Sequence, residues 1–418
     1  MADFFQPGVI TTLHKLSSDG GDHLEAELRS FRPYRPVGLV LPALYSEFET
    51  PAMKIICDEL REVDYLGRIV VAIGKCTYEE YMRARAFFDG FRTPVTAIWV
   101  EDPRITALLN QLTEQGVRIG DYGKGRTCWL SLGYLLAAGD VDVIALHDCD
   151  ITNYTRQMLN RLIYPVAHPN LGFEFSKAYY ARTSNRMHGR VTRLFFSPIV
   201  RAIQSMLDEN PYLRFLDSFR YALSGEFVMN ADLARIIRIP SDWGLEIGVL
   251  SEVYRSCALG SISQVDIAEN YEHKHQDLSP EDTSRGLRRM TCDIAKHLFR
   301  TLAQQGTVLT THHFRTLEVF YTRFAEDTVR RYHADATING LDFDLHQENL
   351  ALNAFARSIR DAAQEFTADP LALPQISNWI RVLSAIPDFN SRLLRVTADM
   401  HVPGTGPAGH HASSISTA

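Results

Sequence analysis

The stretch VIALHDCDIT, residues 143 to 152, ends an apolar run in His147, Asp148, Cys149 and Asp150. Two carboxylates one residue apart repel each other, and a cation or solvent must offset that repulsion. Hard divalent ions such as Mg2+ or Mn2+ take carboxylate oxygens and keep positions open for phosphates. A solvated turn after a strand also favours aspartate, so the surroundings must separate the two readings.

Several other stretches carry candidate chemistry. DYGKGRTCW places Gly123, Lys124 and Gly125 at the start of a helix, where backbone N–H groups and the helix dipole favour an anion. It lacks the GxxxxGK[ST] pattern, which disfavours a P-loop ATPase. LPALYSE turns out of a strand through Pro42, Ala43 and Leu44 and delivers Glu47 to the same edge. HGRVTRLFFSP sets Gly189, Arg190, Val191 and Thr192 at a helix entry suited to a phosphate or carboxylate, though Thr192 could equally be an ordinary cap. In YEHKHQ, His273 and His275 point the same way if the segment is extended. One of them could join Asp150 in a carboxylate and imidazole metal set, with His147 a competitor. His312, His313, His410 and His411 are assigned no function.

Positioning these residues needs a parallel sheet. From Val37 the sequence alternates strands with helical periods: VGLVLPAL, PAMKIICDELREV, RIVVAIG, YEEYMRARAFFDG, PVTAIWV, ITALLNQLTEQG, RTCWLSLGYLLAAG and VDVIALHD. That is half of an open doubly wound α/β fold, in which ligands bind beyond the carboxyl ends of the strands. Beyond residue 150 strands and helices are mixed, and from Pro280 the chain reads as nearly all helix. The expected division is an N-terminal extension (1–36), a catalytic domain (37–279, with halves 37–150 and 151–279), a helical region (280–400) and a disordered Gly-, Ser- and Pro-rich tail (401–418). The helical period in FRTLEVFYTRFAEDTVRRY fits either a homodimer surface or packing within the chain.

Composition narrows the class of function. With 418 residues, 45% of them hydrophobic, the chain can bury a large core. A net charge of -7 argues against a nucleic-acid binder. Six scattered cysteines without CxxC spacing suggest neither a zinc knuckle nor a disulfide framework, which points to the cytoplasm. No signal peptide and no membrane-spanning apolar run is legible.

Taken in order, LPALYSE, GKG, DCD, GRVT, SGEF, DWGLEIG and YEHKH resemble the glucosyl-3-phosphoglycerate synthases, retaining glycosyltransferases of the GT-A fold. The resemblance covers roughly residues 37 to 300. It implies transfer of glucose from a nucleotide diphosphate (GDP- or UDP-glucose) to D-3-phosphoglycerate, on the way to glucosylglycerate, a compatible solute. Pro42, Ala43, Leu44 and Glu47 match the segment that holds base and ribose, and Lys124 the lysine near the pyrophosphate. Asp148 and Asp150 match the metal-binding DxD, with Cys149 as its middle residue, and His273 matches the histidine ligand. Gly189, Arg190, Val191 and Thr192 match the acceptor segment, and Glu226 the carboxylate beside the donor sugar. The resemblance thus gives catalytic parts to Glu226, Asp150 and Lys124. No carboxylate nucleophile is required, because the leaving phosphate can take the acceptor's proton in a front-face reaction. His275 stands where shorter members have an asparagine that helps bind the acceptor, and Tyr271 where they have an arginine. Alternatives are mannosyl transfer from GDP-mannose, an unphosphorylated glycerate acceptor, or a nucleotide-sugar-binding module without turnover.

Overall fold

The computed structural model describes residues 6, 8–16, 21–207, 209–272, 286–371 and 375–400. His273, His275, the boundary near residue 280 and the tail from 401 lie outside the described residues.

Eight strands form one sheet among the described residues: β1 (Thr11–Leu13), β2 (Val37–Leu44), β3 (Leu66–Gly74), β4 (Val95–Trp99), β5 (Val143–Leu146), β6 (Phe175–Tyr180), β7 (Phe227–Asn230) and β8 (Ile262–Ala268). Their order is β1-β8-β6-β7-β5-β2-β3-β4. All neighbours run parallel except β7, which is antiparallel to both β5 and β6. Strands sandwiched between helices must be apolar on both faces, and the all-buried VIAL of β5 meets that demand. The expected mainly parallel α/β sheet is therefore present, and the N-terminal stretch contributes its edge strand by pairing β1 with β8.

The crossover helices start where local chemistry allows. Helix Tyr78–Arg85 opens with a capping box in which Thr77 accepts from the Glu80 amide and the Glu80 carboxylate accepts from the Thr77 amide. Helix Pro103–Glu114 has proline in its first turn, and Asp102 accepts from the Arg104 amide. The helix entered at Gly189 to Thr192 begins as a π-helical segment Val191–Phe196 that runs into helix Ser197–Met206. Such wide turns occur mostly as single turns at functional places, and this one carries the acceptor-like segment.

The C-terminal helices Gly286–Gln304, Thr311–Ile338, Leu345–Ala368, Trp379–Ala385 and Phe389–Asp399 fold onto the same body. The stripe Phe314, Leu317, Tyr321, Ala325 and Val329 of the second is buried, and the Tyr321 hydroxyl donates to the Leu194 carbonyl at 2.8 Å. Its helical period is thus spent largely within the chain. Trp379 stacks on Trp129 with ring centroids 4.5 Å apart, and Trp129 Nε1 donates to the Ser377 carbonyl at 2.8 Å. The last helices are anchored there to helix Lys124–Ala138, the helix that carries Lys124. All six cysteines are free thiols. Among the described residues no helix is long and apolar enough to cross a membrane.

Removing a buried tryptophan leaves a large cavity, so Trp379→Ala should cost about 3–5 kcal/mol of stability. Urea unfolding followed by circular dichroism measures this, and an unchanged midpoint would mean that the Trp129 stack does not anchor the C-terminal helices.

Candidate active site

One cavity of about 1240 Å³ opens at the carboxyl ends of β2, β5 and β6. It brings together Pro42, Ala43, Leu44, Glu47, Lys124, Asp148, Cys149, Asp150, Gly189, Arg190, Val191 and Thr192. Segments more than 140 residues apart in the chain thus meet at one sheet edge, as strand-end binding in α/β folds requires.

The acidic end is built around β5. Lys124 Nζ lies 2.5 Å from Asp148 Oδ1 and 3.4 Å from Glu246 Oε1. Burial pulls the Lys124 pKa down, but the two carboxylates outweigh it and hold the lysine well above its usual value. Glu47 Oε2 accepts from the Leu44 amide at 3.0 Å. Burial, together with the charges of Asp150 and Asp148, pushes the Glu47 pKa up to about 7. Cys149 is 1% exposed and belongs to the hydrophobic core where it meets the cavity, between the two aspartates.

Two glycines permit these approaches. A Cβ at Gly225 would stand 2.4 Å from Asp148 Oδ2, and one at Gly125 would stand 1.9 Å from the Pro240 carbonyl oxygen. Only glycine lets the start of β7 pass beneath Asp148, or the Lys124 helix seat against the 240–241 segment. Buried Lys177 donates to the Ser224 carbonyl at 2.7 Å and fixes the turn that leads into Gly225.

Glu226 stands apart from the other candidates. It is 1% exposed and does not line the main cavity. Its Oε2 accepts from the Tyr180 hydroxyl at 2.6 Å and its Oε1 from the Tyr271 hydroxyl at 2.5 Å. The two tyrosine rings stack at 3.8 Å, and Tyr180 is the one that reaches the cavity wall. Burial and the nearby Asp148 charge raise the Glu226 pKa, against the pull of the two hydroxyl bonds. His147 is likewise behind the site, at 2% exposure. Its Nδ1 lies 2.9 Å from the Asp148 carbonyl oxygen and its Nε2 3.1 Å from the Tyr154 hydroxyl. A carbonyl can only accept, so Nδ1 carries the proton and Nε2 accepts from Tyr154.

Away from β5 the cavity wall carries Arg182, Arg186 and Arg190 together with Asp342, Asp344 and Glu348. Arg182 Nη1 donates to the Tyr221 hydroxyl at 2.9 Å, and its buried Nε has no hydrogen-bond partner among the described residues. Arg190 Nε is 2.7 Å from Glu348 Oε1. Sequence reasoning missed Arg182 and Tyr180, although both sit at the carboxyl end of β6 and the strand-end rule could have found them. It also missed Glu348, for which no local signal exists.

Among the described residues no three His, Cys, Asp or Glu side chains group as a self-sufficient metal cluster. Asp148 and Asp150 still offer hard oxygen donors, and Glu47, raised mainly by burial, also feels the charge of both. Those donors fit a hard divalent cation that takes a further ligand from elsewhere. The Thr152 amide donates to the Glu272 carbonyl at 2.9 Å, and the Glu272 amide to Asn153 Oδ1 at 3.0 Å. Residue 272, the last before the undescribed histidines, is therefore tied two to three residues beyond Asp150.

A glucosyl-3-phosphoglycerate synthase from Persephonella marina is 47% identical over 399 residues, spanning 96% of this chain and 99% of that protein. The chain belongs to the glucosyl-3-phosphoglycerate synthase family. A second member, from Methanococcoides burtonii, is 37% identical over 396 residues, covering 94% of this chain and 96% of its own. No family model matches the chain. Among solved structures, the glucosyl-3-phosphoglycerate synthase of Mycobacterium tuberculosis with Mn2+, uridine-diphosphate-glucose and phosphoglyceric acid gives a TM-score of 0.52 at 24% identity, covering 72% of this chain and 89% of that one. A mannosyl-3-phosphoglycerate synthase from Rubrobacter xylanophilus gives 0.53 at 21% identity over 72% of this chain and 83% of its own. Both likenesses establish the fold that glucosyl- and mannosyl-transferring members share.

The His147 pKa falls from its usual 6.5 to about 4 because burial disfavours the charged ring. Between those values the unfolded chain binds the proton and the folded one does not, so stability is lost as pH falls from about 6.5 toward 4. His147→Gln should flatten that segment, removing roughly 3 kcal/mol of pH-dependent loss by pH 4. Urea unfolding of both proteins across this range checks it, and parallel curves would assign the acid sensitivity to other groups.

Proposed function

We propose that this chain transfers glucose from a nucleoside diphosphate to the secondary hydroxyl of 3-phosphoglycerate, with retention at the anomeric carbon. The observation that carries this reading is the two-ended cavity. Asp148 and Asp150 at one end suit a cation-bound diphosphate, and the guanidinium groups of Arg182, Arg186 and Arg190 at the other offer donors to a small doubly anionic acceptor. Near full-length membership of the family supports the same substrates.

Asp150 and Asp148 would hold a Mg2+ or Mn2+ ion, with His273, which lies outside the described residues, as the further ligand that the motif resemblance implies. When bound, the ion supplies positive charge where negative charge gathers on the departing diphosphate. Pro42, Ala43, Leu44 and Glu47 would flank the base and ribose. Lys124 would exchange part of its contact with Asp148 for the pyrophosphate. Arg190, Thr192 and the backbone at Gly189 and Val191 would orient the acceptor, with His275 at its margin. The anomeric carbon loses its bond to the phosphate oxygen and gains one to the acceptor oxygen on the same face. The acceptor's proton passes to the leaving phosphate. In this scheme Glu226 acts through the hydroxyls of Tyr180 and Tyr271, shaping the sugar wall rather than attacking carbon.

The test is to supply purified protein with 3-phosphoglycerate, Mg2+ and a panel of UDP-, GDP- and ADP-linked glucose and mannose. A phosphorylated glucoside is expected, and its loss in Asp150→Asn with an unaltered circular dichroism spectrum. A mannoside alone would transfer the reading to the mannosyl branch, and no glycoside from any donor would refute it.

A homodimer is the further part of this reading. Val319 at 72% and Ile338 at 85% exposure are the apolar side chains that helix Thr311–Ile338 leaves uncovered. Sedimentation of the full chain should give a two-chain particle that Val319→Glu weakens, and a single-chain mass would exclude it.

A further inference from the structure

We propose that Glu348, on the C-terminal helix Leu345–Ala368, is a positioning residue that sets the acceptor-binding arginine; this rests on the reading of Arg190 given above. Glu348 lies 158 residues beyond Arg190, in the part of the chain to which no site residue has been assigned.

The helix that carries it is registered on the acceptor loop. The Asp342 amide donates to the Asn185 carbonyl at 2.8 Å, and Asn185 Nδ2 donates to Asp342 Oδ2 at 2.8 Å. Asp344 then caps the helix by accepting from the Gln347 amide at 3.0 Å. One turn on, Glu348 Oε1 accepts from Arg190 Nε at 2.7 Å and Oε2 from Arg193 Nη1 at 3.1 Å. Arg193 is immobilised in turn: its Nε donates to the His188 carbonyl at 2.9 Å, and its guanidinium lies 4.9 Å from the Tyr332 ring centroid.

Burial orders these groups. The side chains of Glu348 and Arg193 are 5% and 9% exposed, whereas that of Arg190 is 31% exposed and lines the cavity. Glu348 and Arg190 both line the cavity, but the carboxylate is packed into its wall and the guanidinium is the more exposed of the two. One carboxylate shared by two arginines leaves a net positive charge. Binding at Nε leaves the terminal amino groups of Arg190 for a phosphate or carboxylate of the acceptor. A mobile arginine would have to be ordered each time the acceptor bound, at a cost in affinity. Held at Nε by a buried carboxylate, it is ordered beforehand.

Steady-state kinetics in both substrates on the full chain test this. Glu348→Gln keeps the shape and removes the charge, and should raise the KM for 3-phosphoglycerate about tenfold, the worth of a charged hydrogen bond, while the donor KM stays put. In an Arg190→Ala background the same change should add less than about twofold, because the group through which it acts is gone. Glu348→Asp should recover part of the loss. Should Glu348→Gln fail to fold, Glu348→Asp carries the test alone, with a smaller rise confined to the acceptor KM. An unchanged or lowered acceptor KM, or an equal rise in both backgrounds, overturns the role of Glu348. Absence of any glucoside from the unmodified enzyme overturns the underlying reading, and this one with it.

Discussion

Charge crowding at the end of β5 is the constraint around which the site is organised. Asp148, Asp150 and Glu47 converge where the sheet opens, and inside a protein such repulsion is poorly screened. Lys124 answers part of it by sitting 2.5 Å from Asp148. To do so, the helix that carries it must start close against residues 240–241, which is why Gly125 meets the Pro240 carbonyl. That same helix is clamped from its other side by Trp379 on Trp129. A local electrostatic problem thus reaches, through one helix, to the final turns of the chain.

The antiparallel strand β7 supplies the second half of the arrangement. Because it runs against β5, with Leu146 opposite Phe227, its beginning lies beside the end of β5. Gly225 and Glu226 therefore arrive under Asp148, and Lys177 and the Tyr180–Tyr271 pair pin them there. Glu226 with its two tyrosines and the cavity-facing Asp148 share one foundation. A change in either is felt by the other through contacts of van der Waals length.

The sequence made much of this legible, for identifiable reasons. The run of apolar strands and amphipathic helices from Val37 to Asp150 has strict periods, and strand-end logic correctly gathered Glu47, Lys124 and Asp148 to one edge. The same logic applied at Ala181 would have found Arg182. Short stretches carried weaker signals: three-residue β1 has no period to read, and the reversed direction of β7 is invisible in four residues. Glu226 was recognisable as a carboxylate of the right kind, but its partners lie 45 and 46 residues away, so its burial was not. Glu348 is one acid among many on an amphipathic helix. Only the three-dimensional return of that helix onto Arg190 gives it meaning.

That return also sets a limit on modularity. The sheet and its crossover helices look like a transferable catalytic unit, with the later helices as an appendage. Yet the segment from Asp342 to Glu348 forms part of the cavity wall, and Tyr321 closes over the backbone of the π-helical segment. A chain ended near residue 305 would lack one face of this cavity, with Arg193 deprived of Glu348 and the Tyr332 ring. The C-terminal helices therefore cannot be exchanged or shed without reshaping the cavity that the sheet opens into.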